Sequence, residues 1–331
     1  MESNVINLKT DGEKKMAAPI IETRGLKKYF SVPQGLLHAV DDVNLSINPV
    51  ETLGVVGESG CGKSTLGRVL LGLLPATEGD VLYNGESIFD VKGRKKDFIF
   101  NEMQMIFQDP FSSLNPRLSI QDLIAEPIIV RKTITDKTEI KNKVLELMDL
   151  VGLSERYVNT YPHELDGGRR QRVGIARALA LDPKFIVCDE PVSALDVSIQ
   201  AQILNLIMDL QERNGLAYMF ITHNLCVVKH ISSNIMVMYM GRVVEYASKE
   251  QLFEKQLHPY SQALLSAIPL PELRQNREKI VLTGEVSNPI NPKPGCRFAP
   301  RCKYATAKCT EQEIPMVEIE NGRKVACTLY M

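Results

Sequence analysis

A glycine-rich turn between a buried strand and a helix constrains this chain more than any other feature. Residues 57–65 read G-E-S-G-C-G-K-S-T and match the phosphate-binding pattern G-x-x-x-x-G-K-S/T in full. The apolar residues 52–56 before the turn predict a strand, and the residues after it predict a helix. Glycines allow backbone N–H groups to point inward at a phosphate, and the helix adds its positive N-terminal end. We therefore expect a phosphate site formed by Gly57, Glu58, Ser59, Gly60, Cys61, Gly62, Lys63, Ser64 and Thr65.

An acidic pair at the end of a later apolar strand complements this turn. Residues 185–190 read F-I-V-C-D-E, so the strand delivers Asp189 and Glu190 to one edge of a sheet. Lys63 is expected to reach the β- and γ-phosphates, while Ser64 and Asp189, directly or through water, would hold Mg²⁺. Glu190 follows directly and is expected to polarise an attacking water as a general base. Together the two motifs predict binding and hydrolysis of a nucleoside triphosphate.

Charge and hydropathy exclude several functional classes. The 331 residues contain 39 Lys and Arg against 40 Asp and Glu, so bulk charge does not favour a nucleic-acid partner. No apolar stretch approaches the about 20 residues of a membrane span, and the polar N-terminus lacks a signal-peptide pattern. We expect residues 1–18 to be a disordered tail and the chain to remain in the cytosol with its thiols reduced. Attachment to a membrane would then depend on another chain.

The order of the predicted elements indicates the fold class. Short apolar strands, such as residues 218–222 and 235–239, alternate with helical patterns such as residues 200–210. This alternation predicts an α/β fold with a mainly parallel sheet. From about residue 255 proline becomes frequent and four of the seven cysteines occur, which places a domain boundary near residues 250–258.

Several further motifs make residues 20–250 resemble the ABC-type ATPase family. Residues 165–172, L-D-G-G-R-R-Q-R, stand where that family has its signature motif, ahead of the strand that carries the acidic pair. The other matches follow in the family order: Gln108 of the Q-loop, residues 193–196 of the D-loop and the switch histidine His223. A lone Gln or His would be an ordinary surface or core residue, but the ordered set is specific to the family.

The resemblance implies a P-loop ABC-type ATPase fold over residues 19–254. Such a domain contains a RecA-like parallel sheet core, an antiparallel β subdomain and a helical subdomain, here at about 111–165. The helical insert is too short for the coiled-coil arm of the DNA-repair and chromosome-structure ABC ATPases. The single set of motifs also argues against the tandem, ribosome-associated class, so a transporter subunit remains as the predicted class.

The same resemblance assigns cofactors and roles. ATP and Mg²⁺ are the expected cofactors, with Ser64 and Gln108 as Mg²⁺ ligands. The catalytic candidates are Glu190, His223 and Gln108. The aromatic residue that stacks on adenine is predicted to be Tyr29, with Phe30 as the alternative.

The signature departs from the family pattern at two positions. In the family, the signature of one subunit contacts ATP on the phosphate loop of the other, so Asp166, Gly167 and Gly168 are expected beside a partner's nucleotide. Asp166 stands in place of a serine, and Arg169 in place of a glutamine. A carboxylate beside the γ-phosphate is unfavourable, which predicts an impaired composite site and a pair of unequal ATPases. Alternatively, Asp166 simply caps the signature helix, since Asp is a good N-cap.

Two further stretches resemble the oligopeptide/dipeptide importer branch of the family. They are residues 109–117, D-P-F-S-S-L-N-P-R, and residues 257–265, L-H-P-Y-S-Q-A-L-L. This resemblance implies an ATP-hydrolysing subunit that powers peptide import and lies peripherally on the cytoplasmic side of the cell membrane. The implied partners are a second, homologous ATPase in a heterodimer, two permeases and, indirectly, an extracytoplasmic peptide-binding protein. The alternatives are a regulatory nucleotide-binding subunit with weak turnover, and an importer of nickel or another solute.

The cysteines fall into two groups. Cys61, Cys188 and Cys226 lie in or after the motifs, and we expect all three to be packed in the fold. The other four, spaced C-x5-C-x6-C-x17-C, are Cys296, Cys302, Cys309 and Cys327. They lie within residues 255–331, which resemble the C-terminal extension of the peptide-importer ATPases. Four thiols among basic residues suit an iron–sulfur cluster of the 4Fe–4S type, with Zn²⁺ or unligated thiols as alternatives.

Overall fold

The structure, a computed structural model, describes residues 18–267, Ile280 and residues 289–331. The predicted disordered tail lies outside the described residues apart from Ala18. The strands, in chain order, are β1 (Ile21–Val32), β2 (Gly35–Val43), β3 (Ser46–Ile47), β4 (Thr52–Val56), β5 (Glu78–Tyr83), β6 (Glu86–Ser87), β7 (Met103–Ile106), β8 (Phe185–Asp189), β9 (Ala217–Ile221), β10 (Asn234–Tyr239), β11 (Arg242–Ser248), β12 (Val317–Glu320) and β13 (Arg323–Val325). The helices are α1 (Lys63–Leu70), α2 (Gly93–Glu102), α3 (Pro110–Ser113), α4 (Ile120–Arg131), α5 (Lys137–Leu150), α6 (Gly167–Leu179), α7 (Val197–Asn214), α8 (Leu225–Ile231), α9 (Lys249–Glu254), α10 (Pro259–Ser266) and α11 (Lys308–Glu311).

The main sheet has the strand order β12-β13-β11-β10-β4-β9-β8-β7. The strands from β10 to β7 pair in parallel, whereas β11, β13 and β12 continue the sheet with antiparallel pairing. Strands β4, β8 and β9 are buried along their whole length, which is why each reads as a continuous apolar run rather than an alternating one. The predicted α/β fold with a mainly parallel sheet is confirmed.

A second, antiparallel sheet covers one end of the main sheet. Its strand order is β2-β1-β5-β6, and β3 pairs with β1. The turn between β5 and β6 is the Asn84-Gly85 pair, both with positive φ, as a two-residue hairpin requires. This sheet brings β2 alongside the main sheet, where the N–H of Asp41, near the end of β2, donates to the Gly241 carbonyl at 2.9 Å.

A helical layer, α3 to α6, lies in sequence between β7 and β8, the two neighbouring strands at one edge of the main sheet. Helices α4 and α5 begin at side-chain caps, in which Ser119 accepts from Asp122 N–H and Asp136 accepts from two backbone N–H groups. The apolar residues of both helices recur three and four positions apart and form one buried cluster with α6 and α7. Among the described helices, none is long and apolar enough to cross a membrane.

The C-terminal residues complete the main sheet rather than forming a separate unit. Strand β13 pairs with β11, and its last residue, Val325, is fully buried. Phe298 packs in a buried cluster with Val56, Tyr239 and Tyr260, which come from the core and from α10. The boundary predicted near residues 250–258 therefore separates two stretches of sequence that share one sheet and one core cluster.

Candidate nucleotide-binding site

The phosphate-binding loop, residues 57–65, connects β4 to α1 at the carboxyl end of the parallel strands. Two of its glycines, Gly57 and Gly62, are required because neighbouring strands pack closely against the backbone there. A Cβ built on Gly62, whose φ is 102°, would lie 1.9 Å from the Ala39 carbonyl oxygen. A Cβ on Gly57 would lie 2.2 Å from the Met238 carbonyl oxygen. The backbone is thereby fixed between β2 and β10, which orients its N–H groups.

Lys63 is buried at the first position of α1, with its ammonium group inside the loop. Its Nζ donates to the Gly57 carbonyl at 2.8 Å and to the Glu58 carbonyl at 2.9 Å. Cys61 lies beside it, and burial raises the pKa of the Cys61 thiol, which makes it a packed residue rather than a reactive one. The predicted packing of Cys61 is confirmed, and the cation stands where phosphate oxygens would meet it.

Ser64 and Asp189 meet across the site. Strand β8 ends at Asp189, whose Oδ1 accepts a hydrogen bond from the Ser64 hydroxyl at 2.6 Å. Burial raises the pKa of Asp189, while Ser64 and nearby basic residues counteract part of the rise. Two oxygen donors this close suit a hard cation such as Mg²⁺, which prefers carboxylate and hydroxyl oxygens. The neighbouring Cys188 is fully buried, as predicted.

Glu190 is held between the two other residues that the sequence singled out as catalytic. Gln108 Nε2 donates to Glu190 Oε2 at 3.1 Å, and His223 Nδ1 lies 3.2 Å from Glu190 Oε1. Glu190 has a φ of 45°, a left-handed conformation that is costly for a non-glycine residue and occurs often at active sites. Its N–H donates to the Ile221 carbonyl at 2.9 Å, which helps to fix that conformation. The catalytic candidates therefore converge on one carboxylate.

Tyr29 and Phe30 lie on opposite faces of β1, because successive residues of a strand alternate. The Tyr29 ring stacks on His38 with centroids 3.8 Å apart, and its hydroxyl donates to Asp41 at 2.6 Å. One face and the hydroxyl of Tyr29 are thus already engaged. Phe30 pairs across the sheet with Leu37, and Lys28 Nζ lies 5.0 Å from its ring centroid. The assignment of Tyr29 to adenine stays a prediction.

Asp41 lies near the end of β2 and is paired with two guanidinium groups. Burial alone would raise its pKa, but the Tyr29 hydroxyl and the guanidinium groups of Arg297 and Arg242 lower it to about 2. Arg242 Nε donates to Asp41 at 3.1 Å, and Arg297 donates to the same carboxylate oxygen. Arg297 belongs to the C-terminal extension, so this cluster joins the extension to the antiparallel sheet.

The signature residues lie at the start of α6. Within the same chain they contact other residues of α6 and the neighbouring helix α7. Asp166 is the N-cap of α6: its Oδ1 accepts from Arg169 N–H at 2.8 Å, and its other oxygen pairs with the Arg169 guanidinium. The capping interpretation thus describes Asp166 in this chain. A Cβ on Gly168 would lie 2.7 Å from Ile199 Cγ2, so that glycine permits close helix packing. Asp166 and Arg169 remain about half exposed and available to a second subunit.

The four cysteines of the extension line one small cavity, and none forms a disulfide. Burial raises the pKa of Cys296 to about 11, and Cys309 Sγ lies 3.2 Å from Thr328 Oγ1. Within residues 18–267 and 289–331, no group of three or more His, Cys, Asp or Glu side chains is close enough to hold a metal ion. The cavity has a volume of about 20 Å³. The predicted Zn²⁺ therefore does not fit, and the predicted iron–sulfur cluster lacks support in this conformation.

The third packed cysteine was wrongly predicted. Cys226 is exposed, although it lies in α8 as expected. It is the second residue of that helix, and its neighbours Leu225 and Val227 face the core instead.

A groove of about 850 Å³ separates the main sheet from the helical layer. Its lining includes Gln108 and Asp189 from the site, together with Glu126 and Arg177 from α4 and α6. Arg177 donates to the Ser113 carbonyl at 2.6 Å, and burial lowers the pKa of its guanidinium. The groove thus leads from the site to the helices.

Three residues at the loop escaped the sequence analysis as site residues. Arg301 pairs with Glu58, Tyr260 accepts a hydrogen bond from Glu58 N–H at 2.8 Å, and Arg297 donates to the Met240 carbonyl. Arg297 and Arg301 are among the basic residues near the cysteines, for which the sequence suggested only a role beside the thiols. The sequence signal for these contacts is that Arg297 and Arg301 flank an aromatic residue between two cysteines.

Comparisons with known proteins agree with the geometry. Residues 40–193 match the ABC transporter family, and residues 244–309 match the C-terminal region of oligopeptide/dipeptide transporters. The chain is 53% identical over 266 residues to the oligopeptide transport ATP-binding protein OppF of Bacillus subtilis, covering 80% of this chain and 87% of that protein. It is 46% identical over 321 residues to the dipeptide transport ATP-binding protein DppF of Haemophilus influenzae, covering 95% and 98%.

A solved structure extends the comparison to the fold. A dimeric ATP-binding cassette in a post-hydrolysis state, bound to ADP and Pi, superposes with a TM-score of 0.63. The two sequences are 28% identical, and the match covers 69% of this chain and 98% of that one. The chain therefore belongs to the ABC transporter family, as an ATPase of its oligopeptide/dipeptide transport group.

Proposed function

We propose that this chain hydrolyses ATP to power the import of peptides, as one of two unequal ATPases bound to two permeases on the cytoplasmic face of the membrane. The observation that carries the ATPase role is Glu190, which is held by Gln108 and His223 beside the Ser64–Asp189 pair. The relatives named as oligopeptide and dipeptide transport ATP-binding proteins support the cargo.

In the proposed reaction, each residue has a separate task. Lys63 and the backbone N–H groups of the loop bind the β- and γ-phosphates. Ser64 and Asp189 would hold Mg²⁺, which when bound neutralises charge on the phosphates. Glu190 orients a water and accepts its proton as the oxygen attacks the γ-phosphorus, so that ADP leaves and phosphate forms. His223 and Gln108 keep the Glu190 carboxylate in place through the contacts described above.

The adenine base is proposed to stack on Phe30 rather than on Tyr29. The Tyr29 ring is stacked on His38, and its hydroxyl donates to Asp41. Phe30 lies on the other face of β1 and offers an aromatic surface of the size that a base requires.

The second half of each ATP site would come from the partner ATPase. An ATP bound at Lys63 would be covered by the partner's signature, and the signature of this chain would cover the partner's ATP. Because Asp166 replaces a hydroxyl with a carboxylate, the second of these two sites is proposed to be the weaker one. The Arg169 guanidinium offsets part of that charge.

The permease is proposed to bind in the groove beside Gln108. Leu73 and Val130 line this groove and are more than half exposed, so they offer apolar surface that a bound segment could cover. Because Gln108 also contacts Glu190, a segment seated in the groove would be coupled to the catalytic carboxylate.

The four cysteines of the extension are proposed to ligate an iron–sulfur cluster with a structural role. The argument for it is the donor set, since four thiols that form no disulfide line a single cavity. The cavity is about the size of one water molecule, so the thiols would have to move apart to accept a cluster. Iron and acid-labile sulfide in anaerobically purified protein would support this assignment, and metal-free protein with a folded extension would reject it.

The proposed function is tested by reconstituting the complete transporter in vesicles and measuring ATP hydrolysis and peptide uptake together. We expect uptake to require ATP and this chain. If Glu190→Gln in this chain alone leaves ATP hydrolysis and uptake unchanged, the chain is instead a regulatory subunit. Uptake of nickel with no uptake of peptide would contradict the proposed cargo.

A further inference from the structure

The side chain of Glu58, the second residue of the phosphate-binding loop, points away from the loop toward the C-terminal extension. Arg301 holds it with a forked pair of contacts: Nη1 lies 2.9 Å from Oε2, and Nη2 lies 3.3 Å from Oε1. Arg301 Nη1 also lies 3.4 Å from the Tyr239 hydroxyl. The Arg301 side chain is 8% exposed and the Glu58 side chain 24% exposed, so this bidentate charge pair is largely but not fully buried.

The backbone of the same loop residue is held as well. Glu58 N–H donates to the Tyr260 hydroxyl at 2.8 Å, and Tyr260 is fully buried. Tyr260 packs against Tyr239 and Phe298, with ring centroids 4.6 Å and 5.4 Å away. Phe298 belongs to the extension, three residues before Arg301. Arg301 thus fixes the side chain of Glu58, and Tyr260 fixes its backbone. Both groups adjoin the same aromatic cluster.

A second attachment reaches the loop from the same segment. Arg297 donates to the Met240 carbonyl, and the adjacent Gly241 N–H donates to the Cys61 carbonyl at 2.9 Å. Cys61 is the fifth residue of the loop. Residues 297–301 therefore contact the loop directly at one point and through one intervening turn at another.

We propose that the C-terminal extension positions the phosphate-binding loop of its own chain, with Arg301 as a positioning residue that acts through Glu58. Arg301 touches neither the expected phosphate position nor Glu190. Its removal would leave the Glu58 carboxylate half-buried without its cation, and the loop would gain conformations in which its N–H groups no longer converge. The effect should fall on ATP affinity and KM rather than on kcat, because the catalytic carboxylate keeps its partners.

The experiment measures Mg²⁺–ATP affinity of the full chain with a fluorescent ATP analogue, and KM and kcat in the assembled transporter. We expect Arg301→Gln to weaken affinity and raise KM about tenfold, equivalent to about 1.4 kcal/mol, with kcat within about twofold. Arg301→Lys restores the charge but not the fork, so we expect about a threefold loss. The matched control is Lys303→Gln, which removes an exposed cation of the same extension and should change nothing.

A double-mutant cycle separates positioning from general stability. If Arg301 acts through Glu58, then Glu58→Gln should weaken affinity to the same extent, and adding Arg301→Gln should cost nothing further. An unchanged affinity in folded Arg301→Gln would overturn the proposal, as would an Arg301→Gln effect that persists in full in the Glu58→Gln background. Should Arg301→Gln fail to fold, Glu58→Gln alone carries the test, since it leaves the extension intact.

The inference rests on the proposed nucleotide site, and Lys63→Ala keeps the two apart. Loss of ATP binding in Lys63→Ala, together with unchanged affinity in Arg301→Gln, would reject the positioning role and retain the site. Loss in both variants is the expected result.

Discussion

The phosphate-binding loop and the signature of this chain are supported in opposite ways. The phosphate-binding loop is exposed only at its tip, Ser59 and Gly60, and is held from several directions by Ala39, Met238, Tyr260 and Arg301. The signature at the start of α6 is exposed, and its unusual carboxylate, Asp166, pairs only with residues of its own helix in the described structure. The difference shows that the supports of the loop all lie within one chain, whereas the signature leaves its carboxylate exposed.

The largest expected effect is on ATP hydrolysis beside the phosphate-binding loop. Glu190→Gln keeps the contacts to Gln108 and His223 sterically possible but removes the base, so we expect ATP hydrolysis at this site to fall at least about a hundredfold. ATP affinity should change little, because Lys63 and Ser64 are untouched. The measurement is hydrolysis and ATP binding in the assembled transporter, with Asp209→Asn, an exposed carboxylate on α7, as the control. Full activity in Glu190→Gln would show that the partner subunit performs the chemistry.

The next effect concerns where adenine binds on the loop side. Phe30→Ala should weaken ATP affinity about tenfold, since stacking of a base on an aromatic ring is worth about 1–3 kcal/mol. Tyr29→Phe removes only the hydroxyl bonded to Asp41 and should have a smaller effect. The readout is affinity for ATP against affinity for inorganic triphosphate, which lacks the base. Equal weakening for both ligands in Phe30→Ala would rule out stacking there.

Acid should loosen the support of the phosphate-binding loop through His258. His258 caps α10, the helix that carries Tyr260, and burial lowers its pKa to about 3 from an ordinary 6.5. Below pH 6.5 the unfolded chain takes up a proton that the folded chain refuses, so stability falls as the pH falls from 6.5 toward 3. At pH 5 this amounts to about 2 kcal/mol, at about 1.36 kcal/mol for each pH unit.

The matched control for this pH dependence is His258→Asn. Asparagine is a good N-cap without a titrating group, so the variant should lose less stability than the original chain between pH 7 and pH 5. Denaturant unfolding at both pH values provides the measurement. An identical loss in both proteins would place the acid sensitivity elsewhere.

The smallest expected effect is that of a substitution in the signature. Asp166→Ser restores a hydroxyl and keeps an N-cap, and we expect the ATP hydrolysis of the assembled transporter to rise by a few-fold at most or to stay unchanged. Arg169→Gln is the companion variant, because it removes the cation that pairs with Asp166. A sharp loss of hydrolysis in Asp166→Ser would end the idea that the carboxylate impairs the site.

The loop half could be predicted from sequence because its chemistry is tied to local order. Residues 57–65 follow β4 directly, and the acidic pair follows β8, so the carboxyl edge of a parallel sheet brings Ser64 and Asp189 together. Gln108 and His223 were placed by family resemblance, and the structure gives the reason for their position, since each follows a neighbouring strand of the same sheet.

The contacts of the extension could not be predicted in the same way. Glu58 and Arg301 are separated by 243 positions, and a buried charge pair leaves no periodic pattern in either stretch. The dense prolines and cysteines near residue 300 suggested an appended segment, whereas β13 enters the main sheet beside β11. The exposed Cys226 shows a related limit, because periodicity predicted its helix but not the side of that helix on which it lies.

The pairing of β13 with β11 has a consequence for how the protein is made. During synthesis residues 57–65 emerge from the ribosome well before residues 289–331, so the loop emerges before the segment that contacts it. Contacts between such distant segments form slowly, because a long chain must close before they yield any stability. Arg301 would thus couple tight nucleotide binding to the synthesis of residues 289–331, and a truncated product ending before residue 289 would lack that contact.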